Sequence, residues 1–135
     1  MCESIECIDY LLHEVVHLRP PRFQVRLFVR KKIYDELMGF LERKRLSRMV
    51  TIAAFVYQNR YRDDIYRKER SDPDVTAMKF TDRGRNDRLY CREIMSESGK
   101  DVIICEIHDK KSQKNKNKEN NIIERCGTYE FELFT

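Results

Sequence analysis

Three stretches of this chain have residue types and spacings that could do chemistry. The first is "HEVVH", His13 to His17. On a helix, residues four apart share a face, so two imidazoles can hold one zinc ion with the intervening glutamate as general base. The second is "DVIICEIHDK". Period-two alternation puts Val102, Ile104, Glu106, His108 and Lys110 on one side, and Ile103, Cys105 and Ile107 on a side read as core. The third is "RLYCREI", in which Arg88, Tyr90 and Arg92 share a side and Leu89 and Cys91 face away. The turn-like "SESGK" between the last two makes them a hairpin, which can bring their polar sides together.

Such a patch holds the groups needed to cleave RNA without a metal. A base takes the ribose 2′-hydroxyl proton, fixed cations stabilise the charge gathering on phosphorus, and an acid protonates the leaving oxygen. Glu106 and His108 are the candidate bases, and an imidazole titrates near neutrality. Arg92, Lys110 and Lys111 are the candidate cations. Tyr90 offers a ring for stacking on an exposed base. The same residues also suit binding without cleavage, or an ordinary cross-strand lattice of ion pairs.

The zinc reading is weaker. No third ligand follows at metallopeptidase spacing, and Pro20 and Pro21 end the helix just after His17. His13 and His17 stay as weak metal candidates at the edge of an amphipathic helix. No cofactor is expected.

These residues need elements to hold them. Ser4 can cap a helix over 4–18, with Ile5, Ile8, Leu12, Val15 and Val16 at its apolar spacings. "FQVRLFVR" reads as a strand. Ile33, Leu37, Phe40 and Leu41 predict a helix; Met49, Val50, Ala53, Val56 and Tyr57 predict a second that runs on into "YQNRYRDDIYRKER". "SDPD" is a turn. "VTAMKF", "RLYCREI" and "DVIICEIH" are strands, "KENNIIERC" is a short helix capped by Gly127, and "TYEFELF" closes the chain as a strand. The expected architecture is α+β, a small antiparallel sheet against N-terminal helices, with residues 1–21 as a helical extension and 22–135 as the main domain.

Composition sets the setting. The chain has 135 residues and a formal charge of +4, and 37% of its residues are charged. The basic groups are clustered: "DKKSQKNKNK" carries five lysines against one acid, and arginines crowd from Arg60 to Arg92. Such clusters suit a polyanion, so Lys79, Arg83, Arg85, Arg88, Lys114, Lys116 and Lys118 are candidate phosphate contacts. Five cysteines without a C-x-x-C, and an acidic start, "MCESIECIDY", predict a reducing cytoplasm. No apolar run is long enough to cross a membrane.

The stretch 23–114 resembles the RelE/HigB-type toxins of bacterial toxin–antitoxin modules. The resemblance rests on "MKF" opening the sheet, "LYCRE" with its L-Y-x-R pattern, the short hairpin, and an apolar strand ending in "KKSQK", which looks like the K-K-[ST]-Q motif of the HigB branch. It implies a RelE-like fold, cleavage of free or ribosome-bound mRNA, and an antitoxin protein that masks the site. Arg92 then falls on the family's strand arginine, Lys79 on its basic residue at the sheet opening, and Lys110 and Lys111 on the basic strand end. Glu106 stands where the HigB branch often has a histidine, and Tyr129 is the candidate for the late catalytic aromatic. The expected helix over 4–18 has no counterpart in the family's minimal fold.

Overall fold

The computed structural model describes residues 2–42, 45–81, 86–109 and 116–132, of which 116 and 117 by backbone alone. Its elements in chain order are β1 (Cys2–Glu3), β2 (Ile5–Cys7), β3 (Gln24–Arg30), α1 (Tyr34–Glu42), α2 (Leu46–Tyr57), β4 (Tyr66–Lys68), β5 (Val75–Phe80), β6 (Asp87–Met95), β7 (Gly99–His108), α3 (Lys116–Thr128) and β8 (Glu130–Phe131). Short 3-10 turns follow β2 and β3. The architecture is α+β with a mostly antiparallel, open six-stranded sheet in the order β2-β3-β7-β6-β5-β4. Within this sheet the exception to antiparallel pairing is β3 against β7, which run parallel; β1 and β8 pair parallel as a separate two-stranded sheet. None of the described helices is long and apolar enough to cross a membrane.

The sheet is covered on both faces, so two cores form. Leu27, Leu37, Ile52, Val56, Leu89 and Ile104 belong to the core under α1 and α2. Phe28, Ala77, Ile103, Cys105, Ile122 and Cys126 belong to the core under α3. A strand buried on both faces reads as a continuous apolar run rather than a clean alternation, which is how "VIIC" behaves.

The expected alternation along β7 is corrected here. Cys91 pairs with Ile104, but Tyr90 pairs with Glu106. Cys105 is therefore an extra residue, a β-bulge that shifts parity. Val102 and Ile104 are buried in the first core, and Ile107 packs against it, while Ile103 and Cys105 lie in the second. Glu106 thus shares a face with Ile103, not with Val102.

The expected N-terminal helix over 4–18 is also corrected, and 2–21 is no separate extension. Ile5, Glu6 and Cys7 pair with Arg30, Val29 and Phe28 as an edge strand. Ser4 caps no helix; its hydroxyl donates to Glu132 at 3.3 Å. The Asp9 carboxylate accepts the Leu27 amide at 3.0 Å and the Tyr57 hydroxyl at 2.5 Å, and pairs with Arg19. These anchors hold Asp9–Leu12 and Val16–Leu18 as 3-10 turns. The β-branched Ile5, Ile8, Val15 and Val16 are weak helix formers, so pairing with the sheet wins.

The second predicted helix ends at Tyr57 rather than running on. Asn59 sits at φ 57, a left-handed conformation that asparagine tolerates. The Asn59 amide donates to the Val56 carbonyl at 3.0 Å and the Arg60 amide to Phe55 at 2.9 Å, a Schellman cap. The stretch expected to continue that helix instead contains strand β4. At the other end, α3 runs through Gly127 to Thr128, so Gly127 is not its cap.

Candidate nucleic-acid interface

The register of the sheet builds the site. Lys79 of β5 lies opposite Arg88 of β6, and Arg88 lies opposite His108 of β7. Their parity matches Ala77, Tyr90 and Glu106, so all point to the α3 face. One strand further out, Arg67 of β4 pairs with Ala77 and joins the same face. Strand alternation thus lines up two guanidiniums, an ammonium and an imidazole across four strands.

The site is recessed. His108 and Glu69 are buried, and Arg67, Lys79 and Arg88 are half-buried. The Tyr90 ring stacks on His108 with centroids 6.4 Å apart. The Tyr90 hydroxyl donates to Glu119 in the first turn of α3 at 2.7 Å, and burial together with that carboxylate pushes its pKa up. Arg88 approaches Glu119 at 3.6 Å and Glu69 at 3.9 Å. Lys79 is held below the ordinary amine pKa, first by burial and then by the charges of Arg88 and Arg67. The Nε atoms of Arg67 and Arg88 are buried and find no hydrogen-bond acceptor among the described residues.

Other candidates from the sequence lie apart from this row. Arg92 sends one Nη1 to three carbonyls, Cys126 at 3.3 Å, Gly127 at 3.0 Å and Tyr129 at 3.0 Å. It closes the C-terminal end of α3, where helix carbonyls lack intrahelical partners. Glu106 is clamped: it pairs with Arg125, accepts the Tyr129 hydroxyl at 3.1 Å, and meets Arg30 Nη2 at 3.4 Å. Arg30 also donates to Glu3 at 2.6 Å and to the Cys105 carbonyl at 2.9 Å, and lies over the Tyr129 ring at 4.2 Å. Tyr129 has its pKa raised by burial first, then by the charge of Glu106. Arg92, Glu106 and Tyr129 therefore tie α3 and the chain's end to the sheet.

Arg83, Arg85, Lys110, Lys111 and Lys114 lie outside the described residues. Lys116 opens α3, and Lys118 is exposed on it. His13, Glu14 and His17 are all exposed, on turns rather than an α-helix, so the shared helix face on which the H-E-x-x-H arrangement depends is absent. Among the described residues, no group of three His, Cys, Asp or Glu side chains is placed to hold a metal. A groove of about 330 Å³ lies along β2 and β3, lined in part by Cys7, Arg26, Phe28 and Lys31. None of the predicted site residues lines it.

No family model, curated protein or solved structure matches this chain.

Sequence reading missed two components. Arg67 falls in the stretch whose spacing predicts a continued helix, which hides its place on the cationic face. Lys100 falls in a segment whose residues predict only a turn, yet its ammonium is buried and bonds to Glu93 at 2.8 Å. The pattern "REIMSESGK" held a signal for that pair: a hairpin brings residues flanking its loop together.

Proposed function

We propose that this chain is an RNA-binding protein whose row of Lys79, Arg88 and His108, with Arg67 beside it, takes backbone phosphate without cleaving it. The observation that carries the reading is the strand register that gathers Arg67, Lys79, Arg88 and His108 on one recessed face; burial and the neighbouring guanidiniums hold the Lys79 pKa down. Cations kept together in a partly dehydrated recess repel one another, and a bound phosphate relieves that repulsion. Glu69 and Glu119 offset part of the charge and orient Arg88. Binding is favoured over catalysis because Arg92, Glu106 and Tyr129 are engaged in holding α3. Five free cysteines fit a reducing cytoplasm.

A second reading keeps the chemistry: a metal-independent endoribonuclease of the RelE/HigB kind, acting on mRNA and masked by an antitoxin protein. His108 favours it, as an imidazole stacked on Tyr90 beside Arg88 and Lys79. Single-turnover incubation with labelled mRNA, with and without ribosomes and in EDTA, separates the two. RNA bound and left intact supports the binding reading. Cleavage slowed 10²–10⁴-fold by His108→Gln, the usual effect of losing a general acid or base, supports the second.

A further inference from the structure

Beyond the cationic row, one exposed ring is held in place by more groups than surface packing requires. Tyr61 is 45% exposed, yet it lies flat on the buried ring of Tyr66, with centroids 5.6 Å apart and planes within 9°. The Tyr61 hydroxyl donates to Glu93 Oε1 at 2.7 Å and accepts from Lys100 Nζ at 3.1 Å. Glu93 Oε2 accepts from the Tyr66 hydroxyl at 2.6 Å and from Lys100 Nζ at 2.8 Å. Thr76 donates to the Tyr66 oxygen at 3.0 Å. The ring is fixed behind by an aromatic and at its edge by an ion pair.

That ion pair is costly. The Lys100 side chain is 1% exposed and that of Glu93 11%. Desolvating both charges can exceed their mutual attraction, so such pairs often serve geometry rather than stability. Here the geometry served is the orientation of a solvent-facing tyrosine. Cations surround it: Lys100 Nζ and Lys68 Nζ lie over the ring, 4.9 and 5.7 Å from its centroid, and the adjacent Arg60 and Arg62, the latter paired with Asp64 at 2.8 Å, are exposed.

We infer that Tyr61 is a stacking platform for an unpaired base of single-stranded RNA. The inference rests on the RNA-binding reading and adds the element that distinguishes RNA from other polyanions. A flat ring with fixed orientation stacks on any base, and flanking cations meet the adjoining phosphates. The location suits one strand reaching both sites. On β4, an edge of the sheet, Tyr66 belongs to the core on one face while Arg67 faces the other. A chain passing over that edge can lay a base on Tyr61 and a phosphate against Arg67.

The test compares a labelled oligouridylate with an abasic ribose–phosphate oligomer of the same length, by fluorescence anisotropy. Tyr61→Ala should weaken oligouridylate binding about 5- to 150-fold, the range for a lost base–aromatic stack, and leave the abasic oligomer unaffected. Tyr61→Phe should stay within about threefold of wild type, because the ring still lies on Tyr66. Tyr61→Leu keeps apolar cover over Tyr66 and should reproduce the loss even if the alanine variant folds poorly. Oligouridylate affinity unchanged in both Tyr61→Ala and Tyr61→Leu overturns the platform and leaves the cationic row standing. An equal loss for the abasic oligomer overturns it too, by showing charge or folding as the cause. Wild-type protein that binds neither oligomer overturns the RNA-binding reading along with the platform.

Discussion

Replacing Glu106 with alanine should damage the fold and spare RNA binding. Its carboxylate serves three donors, Arg125, the Tyr129 hydroxyl at 3.1 Å and Arg30 Nη2 at 3.4 Å. The donors weigh differently. Arg125 has a side chain 54% exposed, so water replaces the lost partner and little stability goes with it. Tyr129 is half-buried and loses its acceptor, about 1 kcal/mol. Arg30 has a side chain only 8% exposed, but it keeps Glu3 at 2.6 Å and the Cys105 carbonyl at 2.9 Å. Losing its longest contact costs about another 1 kcal/mol. The total is about 2 kcal/mol, below the ~3–5 kcal/mol of a buried charge left wholly unpaired. With a urea m-value near 2 kcal/mol/M, the unfolding midpoint should fall by about 1 M. Glu106→Gln keeps an acceptor for Tyr129 and should lose about half as much. An unfolding free energy within about 0.5 kcal/mol of wild type, coupled with loss of an RNA-cleaving activity, would refute this reasoning and make Glu106 a catalytic base.

Other perturbations act on the same packing. A Cβ on Gly99 would lie 1.8 Å from the Gln24 carbonyl oxygen, where β7 meets β3, so Gly99→Ala should cost about 1–3 kcal/mol or more in urea unfolding. Burial pushes the Glu93 carboxyl up, but hydrogen bonds from Lys100, Tyr66 and Tyr61 more than offset this and hold its pKa below the usual range. Its contribution is thus present above the unfolded carboxylate pKa of about 4.3 and lost as pH falls below it, and Glu93→Gln should flatten the acid limb of a melting-temperature profile. Lys100→Met leaves Glu93 without its cation and should cost about 3–5 kcal/mol at neutral pH. EDTA should leave the urea midpoint unchanged, and dialysed protein should carry no stoichiometric zinc, since His13 and His17 lie exposed on turns.

Much of this architecture was legible where local pattern and environment agree. β3, β5, β6 and β7, the "SESGK" hairpin and helices α1 and α2 are set by alternation, turn residues and helical spacing. The N-terminal segment misled because Ile5, Ile8 and Leu12 fit helical spacing equally well. The structure divides them between two cores, Ile5 toward α3 and the others toward α2. The bulge at Cys105 was hidden for a related reason: with apolar residues on both faces of β7, nothing in "VIIC" marks where parity changes. Asn59 was the overlooked stop signal for α2. At the site, Arg88 and Tyr90 were placed on one face correctly because no irregularity separates them on β6. The role of Glu106 was not legible. Its partners Arg30 and Arg125 lie 76 and 19 residues away and reach it through a fold that local spacing does not reveal.

The most direct test of RNA binding by the cationic row is the salt dependence of affinity for a single-stranded oligonucleotide. Three phosphate contacts, from Arg67, Lys79 and Arg88, should contribute about −2 to the slope of log K against log salt. Lys79→Gln should flatten the slope by about 0.7 and weaken binding alike at every sequence tested. A variant with unchanged slope and affinity would contradict the assignment and leave the row an internal ion-pair lattice with no ligand.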